Sequence, residues 1–276
     1  MAPRGGRSMR GCVRRSRAVV AAAVMIAAAL PAGAAPQRVV SMNLCSDQLA
    51  MMLAAPGQLI SVSGLAQDPR LSPMADRAAA YVPNSGRAEE IFLMRPDLVI
   101  AGTYTPPATV AMLRGLGIRV EAPPPAESLA QIRAEIIRMG DLLGRQDAAR
   151  ALLARFDADL AAVRRPAPRG RAALYYANGY TSGPDTLAGA ILDAAGYANV
   201  ASDHGIAATA PLPMELLVMS QPDQLITGAK WPGRSQAEAI LDHPALAAAL
   251  PGMARVTDRT WICGIPFVID AIRSLE

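Results

Sequence analysis

Two stretches of this chain repeat one phrase: AEEIFLMRPDLVIAG (Ala88 to Gly102) and PMELLVMSQPDQLITG (Pro213 to Gly228). Glu89 aligns with Glu215, Pro96 with Pro222, Asp97 with Asp223, Ile100 with Ile226 and Gly102 with Gly228, every pair at an offset of 126. Each copy reads as a short helix, a Pro-Asp break and a β-branched strand. A period of ~20–50 residues would build a solenoid, whereas 126 is the length of a small domain. A Pro-Asp before an apolar run is a common strand start and could recur by chance. A second echo, Leu192-Asp193-Ala194-Ala195-Gly196 against Leu53-Ala54-Ala55-Pro56-Gly57, argues for duplication. The chain should therefore fold as two versions of one lobe.

The texture around each copy fits. RVVSMN (Arg38 to Asn43), QLISVSG (Gln58 to Gly64), PDLVIAG and IRVEAP read as strands, with helices at DQLAMMLA (Asp47 to Ala54) and TVAMLRGLG (Thr109 to Gly117) between them. Alternating strands and helices imply parallel βαβ units. In the second half RAALYYANGY reads as a strand entering a polar loop, and YANVAS, PDQLITG and RVTDRTWICG are the other expected strands. The expected helices are TLAGAILDAAG, AEAILDHPAL and a terminal one from near Pro266. Between the halves the periodicity is purely helical. Leu129, Ile132, Ile136, Met139 and Leu143 share one face, and Ala149, Leu152, Leu153, Phe156, Leu160 and Val163 another. The second of these helices would be ~27 Å long at ~1.5 Å per residue.

The first residues have a separate logic. Arg4, Arg7, Arg10, Arg14, Arg15 and Arg17 precede the apolar run AVVAAAVMIAAAL (Ala18 to Leu30), then Pro31 and Ala32-Gly33-Ala34. A basic start, a short apolar core and a small-residue site form an export signal with cleavage near Ala34. The run is shorter than the ~20 residues of a membrane span. Arg14-Arg15 leaves the general and the twin-arginine export routes both open. Removing six arginines from a net charge of +4 leaves −2, so the basic balance belongs to the signal and gives no reason to expect nucleic acid. Of three cysteines, Cys45 and Cys263 remain. In an oxidising compartment they read as a disulfide, with two separate buried thiols as the alternative.

Parallel sheets bind ligands beyond the carboxyl ends of their strands. Those loops carry Asn43, Tyr104, Asn178, Tyr180, Lys230, Trp231 and Trp261 as candidate ligand-binding residues, with Arg87 placed to meet an anionic group or solvent. Aromatic residues are 4% of the chain, yet both tryptophans fall here, and flat rings suit a bulky ligand of mixed polarity. Tyr175, Tyr176, Tyr197, Phe156 and Phe267 read as core packing. No catalytic or metal-binding residue is expected. GYTSG (Gly179 to Gly183) has Thr181 where a hydrolase elbow needs serine, and His204 and His243 lie at no zinc spacing. Neither a dinucleotide fingerprint nor a P-loop is present, so no cofactor is expected.

The ordered set RVVSMNLCSDQL, GRAEEIFLMRPDLVIAG, MLRGLGIRV, a long helix, LPMELLVMSQPDQLI and LDHPAL resembles the iron-siderophore and cobalamin periplasmic binding protein family. The resemblance implies an α/β fold of two Rossmann-like lobes with parallel sheets joined by one long rigid helix. Residues 1–34 would be the signal, 35–144 the first lobe, 145–166 the connecting helix and 167–276 the second lobe. It implies a periplasmic monomer that captures a metal chelate, a ferric siderophore or a corrinoid, and delivers it to an ABC permease dimer at the inner membrane. Glu89 and Glu215 would then be the permease-docking carboxylates, with Glu90 a competitor on the first lobe. Haem, reached by Tyr104 or Tyr180, and a sensing module without transport are the alternatives.

Overall fold

A computed structural model describes residues 35–166, 169–233, 235–249 and 254–276. The export signal expected in residues 1–34 lies outside the described residues.

The first half runs β1 (Val39–Ser41), α1 (Leu44–Leu53), β2 (Leu59–Ser63), α2 (Ala75–Ala78), β3 (Val82–Asn84), α3 (Ala88–Leu93), β4 (Leu98–Ile100), α4 (Pro107–Gly115) and β5 (Arg119–Glu121). Its strands form one parallel sheet of order β3-β2-β1-β4-β5. Helices α5 (Leu129–Leu143) and α6 (Gln146–Val163) follow. The second half runs β6 (Gly170–Tyr175), β7 (Tyr180–Ser182), α7 (Leu187–Ala194), β8 (Tyr197–Asn199), β9 (Thr209–Pro211), α8 (Met214–Ser220), β10 (Gln224–Thr227), α9 (Pro244–Ala249), β11 (Ala254–Val256) and α10 (Val268–Arg273). Here the parallel sheet is ordered β11-β10-β6-β8. Reading β6 as β1, β8 as β2, β10 as β4 and β11 as β5 superposes the two orders. The exception is β9, which stands where β3 does in sequence but pairs antiparallel with β7.

The repeated phrase does the same physical work in both copies. Arg95 (φ 50°) and Gln221 (φ 46°) are left-handed non-glycine residues that end α3 and α8 just before Pro96 and Pro222. They are 126 apart, so even the unusual backbone repeats. Asp97 and Asp223 then tie the new strand to the first strand of each sheet. The Asp97 N–H donates to Arg38 O at 3.0 Å, and its carboxylate accepts from Gln37 N (2.7 Å) and Arg38 N (3.0 Å). The Asp223 N–H donates to Arg171 O at 2.8 Å, and its carboxylate accepts from Arg171 N at 2.7 Å. The guanidinium of Arg38 covers Met94 O and Arg95 O just beyond α3, and that of Arg171 covers Ser220 O at the end of α8. These carbonyls have no partner within their helices.

One large core cluster spans both halves through α1, α5, α6, α7 and α10. The face Ala149, Leu152, Phe156, Leu160 and Val163 of α6 is buried, as its spacing requires, and Ile132, Ile136, Met139 and Leu143 of α5 meet it. The two helices turn at Gly144, left-handed at φ 66°. They approach so closely that a Cβ on Gly140 would lie 2.3 Å from that of Ala149. Cys45 of α1 and Cys263, beyond β11, form a disulfide across a separation of 218 residues.

Three expectations need correction. AEAILDHPAL is two pieces, a 3-10 turn at Ala239–Asp242 and α9, because Pro244 forces His243 into an extended conformation (ψ 130°). YANVAS is a strand only to Asn199, whose side chain accepts from Ala201 N and starts a 3-10 turn at Val200–His204. The last strand ends at Val256, and Asp258 caps a short turn at Arg259–Trp261.

Candidate functional site

In a βαβ unit the helix runs back along the sheet, so strand carboxyl ends and helix starts gather on one edge. A cavity of about 500 Å³ opens there between the two sheets. The first half contributes Asn43 after β1, Gly102 to Tyr104 after β4 and Pro123 to Glu127 after β5. The second contributes Tyr176 after β6, Ser182 of β7, Thr186 to Ala188 at the start of α7, and the segment Trp261 to Ile265 after β11. Glu135 and Met139 of α5 close the space between them. The volume is that of a small-molecule site.

Asn43 is at once wall and support. Its Oδ1 accepts from Cys45 N (3.0 Å) and Ser46 N (3.3 Å), capping α1. A Cβ on Gly102 would lie 2.5 Å from Asn43 Nδ2, so the β4 loop reaches this amide only because residue 102 has no side chain. The next turn of α1 is held by Asp47, wholly buried, whose carboxylate accepts from the N–H (3.1 Å) and hydroxyl of Ser63 at the end of β2. Burial pushes the Asp47 carboxyl up to about 6, against the lowering pull of the Ser41 and Ser63 hydroxyls. The disulfide then joins α1 to the Trp261 segment, so two parts of the wall are covalently linked.

The wall is rich in acceptors. Glu127 and Glu135 are its carboxylates, and among the described residues no Lys, Arg or His lines it. Burial raises the Glu135 carboxyl, opposed by Arg138 at 3.4 Å. Burial also pushes the Tyr176 hydroxyl up to about 12, so it stays a neutral donor. Such a lining suits a ligand with amide and hydroxyl groups better than one with several carboxylates.

Of the residues singled out in the sequence, Asn43, Tyr104 and Trp261 line this cavity. Tyr104 is 86% exposed, its ring free at the rim. Asn43 and Tyr104 also border a second pocket of about 530 Å³ on the first half, which contains Arg87, Glu89 and Met112. Asn178, Tyr180, Lys230 and Trp231 are not among the lining residues of either. Asn178 is an exposed turn residue (φ 57°) whose N–H donates to Ala237 O at 2.7 Å. Tyr180 shares a face of β7 with the cavity residue Ser182 but sits two positions further out. Lys230 is paired with Asp242. Trp231 lies under the Arg70 guanidinium, 4.8 Å from the ring centre, in a contact between the two halves. A second such contact, Arg259 Nη1 to Pro69 O at 2.7 Å, is nearby.

Sequence reasoning missed Tyr176, assigned to the core, and the proline run Pro123 to Pro125. Both follow strand ends directly, which was the available signal. Ser182 follows LYYAN within the expected loop, whereas Thr209 was not foreseeable, because the β7–β9 ribbon that presents it has no counterpart in the first half.

Glu89 and Glu215 occupy the first turns of α3 and α8, both exposed. Among the described residues neither is in an ion pair. Glu90 differs, since its carboxylate accepts from Ser85 N (2.8 Å) and Ser85 Oγ (2.6 Å) and so closes the loop before α3.

A family model described as "Periplasmic binding protein" matches residues 39–250. A Halobacterium salinarum protein named "Cobalamin-binding protein" is 32% identical over 202 residues, 70% of this chain and 54% of that protein. The chain thus spans about half the length of this curated relative. Among solved structures, the apo periplasmic heme-binding protein RhuT of Roseiflexus is 25% identical with a TM-score of 0.70, covering 87% of this chain and 97% of that one. The periplasmic vitamin B12 binding protein BtuF of Vibrio cholerae has a TM-score of 0.64 at 18% identity, over 87% of this chain and 95% of that one, and shares the fold.

Proposed function

The chain belongs to the periplasmic binding protein family, and from that premise we propose that it is the substrate-binding component of an ABC importer. Its residues 35–144 and 167–276 act as lobes about the connecting helix 145–166. They capture a metal chelate in the crevice and hand it to a permease dimer. The export signal in residues 1–34 delivers the chain to the periplasm, where it works as a monomer. The named relatives are binding proteins, and the site is one for holding a ligand, not for converting it.

A corrinoid is the ligand the cavity favours. The observation that carries this is the wall itself: Tyr104, Tyr176 and Trp261 supply flat faces, and Ser182, Thr186 and Thr209 supply hydroxyls, with no cation among the described lining. A corrinoid offers a broad apolar face edged with amides, which such groups can both cover and hydrogen-bond. A ferric catecholate or carboxylate would leave several negative charges facing Glu127 and Glu135 without a counter-charge. Haem is the second reading, supported by the exposed Tyr104 hydroxyl at the cavity rim, a group able to ligate iron, and by the likeness to RhuT.

The test is a titration of the purified chain with cyanocobalamin, a ferric hydroxamate and haemin, followed by tryptophan quenching and thermal unfolding. A ligand at ~100 times Kd stabilises by ~2.7 kcal/mol. Cyanocobalamin alone giving that shift supports the corrinoid, and haemin alone would replace it with the second reading. No response to any of the three removes the chelate assignment.

A further inference from the structure

Leu93 and Met219 are the two most exposed large aliphatic side chains among the described residues, at 78% and 76%. They are also one position of the repeat, since 219 − 93 = 126. A single exposed leucine is ordinary on a soluble protein. Two extremes falling on one register position are a different matter, because folding gives no reason to repeat them. The folding requirement of these helices is met at Ile91 and Leu217, also 126 apart and both 0% exposed.

The exposed pair has a fixed neighbour. Leu93 follows Glu89 by four residues in α3, and Met219 follows Glu215 by four in α8. Residues four apart share a helix face, one turn above the other. Each half therefore carries the same two-part handle, an exposed acid and a bare apolar side chain. Phe92 (46% exposed) widens it on the first half and Leu216 (36%) on the second.

We infer that Leu93 and Met219 are the apolar anchors by which the two lobes seat on the membrane permease, each beside its acid. The inference rests on the importer reading and deepens it. Two equivalent handles fit a partner with two-fold symmetry, and the acids require a basic residue beside an apolar recess on each half of it. The division of labour follows from physics. Exposed charges at a contact chiefly set encounter rate and register, whereas an apolar side chain inserted in a recess and cleared of water holds the complex.

The experiment replaces the chromosomal gene in its native cells with L93Q/M219Q and measures uptake of radiolabelled cyanocobalamin, ferric hydroxamate and haemin. The expected result is an uptake rate at limiting binding protein about tenfold lower, equivalent to about 1.4 kcal/mol. Ligand affinity and Tm of the purified variant should stay at wild-type values. L93M/M219L, which keeps the apolar volume, should restore uptake. L65Q/V256Q serves as control, because Leu65 and Val256 are exposed (54% and 62%) but outside the repeat, and it should transport normally. Uptake by L93Q/M219Q within twofold of wild type overturns the inference, as does an equal loss in the control. So does a concentration-dependent dimer of the purified chain that L93Q/M219Q abolishes, since the occupant would then be a second copy. Failure of the importer reading is distinguishable: deleting the gene would leave all three uptakes unchanged while the purified chain still bound its ligand.

Discussion

Asp47→Asn tests how the cavity wall is held. Asp47 is wholly buried one turn into α1, between Asn43 at the cavity and the Ser63 end of β2. Its carboxyl titrates at about 6 when folded, against an ordinary value of 3.8, because burial disfavours the charge more than the neighbouring hydroxyls favour it. Between those two values the folded chain keeps a proton that the unfolded chain has released. Stability therefore falls as pH rises through about 4 to 6 and stays lower above it. At ~1.4 kcal/mol per pKa unit the interval corresponds to about 3 kcal/mol. Asparagine keeps an oxygen for the Ser63 N–H and hydroxyl, and its NH2 takes the place of the second carboxylate oxygen, which has no hydrogen-bond partner among the described residues. The assay is urea unfolding of wild type and D47N at intervals from pH 4 to 8. The two should be within about 0.5 kcal/mol at pH 4 and separate with rising pH, the variant ending up to about 3 kcal/mol more stable. A difference independent of pH would refute the reasoning, and so would a variant that grows relatively weaker toward pH 8. Either result would mean that the hydroxyl and backbone donors, not burial, decide the charge state.

Trp261 lines the cavity and Trp231 does not, so ligand quenching of fluorescence should persist in W231F and disappear in W261F. Cys45→Ser opens a link between residues 218 apart, which the chain-entropy relation values at ~5 kcal/mol and measured cases at ~2–4; urea unfolding should show a loss in that range, and dithiothreitol should reproduce it in wild type but not in the variant. Gly102→Ala places a methyl 2.5 Å from Asn43 Nδ2, whereas at Gly228 the nearest atom, in the Tyr176 ring, is an ordinary 3.5 Å away. Thermal unfolding should therefore show G102A destabilised by about 1–2 kcal/mol, through displacement of the α1 cap, and G228A within about 0.5 kcal/mol of wild type.

What the sequence disclosed was periodicity. The spacing of Ala149, Leu152, Phe156, Leu160 and Val163 located the buried face of α6, and the Pro-Asp repeat located β4 and β10 with the loops beyond them. Such signals are written in local residue order, which a reader of one chain can see. The cavity depends on what meets across distance. Trp231 and Lys230 follow a strand end as Tyr104 does, yet Arg70 from the other half covers one and Asp242 pairs the other. Tyr176 looked like core because it adjoins Tyr175 at a strand end. The alternation of side chains leaves Tyr175 inside and Tyr176 against the cavity. The β7–β9 ribbon escaped notice because its two strands pair antiparallel with each other, an arrangement that the repeated parallel units do not signal.

The repeat is kept at some positions and dropped at others, and the division follows what each position faces. Asp97 with Asp223, Arg95 with Gln221 and Ile91 with Leu217 build the helix-to-strand turn, a local requirement that each half must meet alone. At the cavity the correspondence fails. Tyr104 matches Lys230 in register, but one is a bare ring at the rim and the other a salt-bridged surface residue. β3 extends the first sheet, while β9 leaves the second to pair with β7 and present Ser182 and Thr209. A ligand without two-fold symmetry needs unlike walls, so divergence there is what binding requires. A two-fold partner needs like handles, and in both halves an exposed apolar residue stays four positions beyond a first-turn acid, although the acid alone would serve the helix dipole.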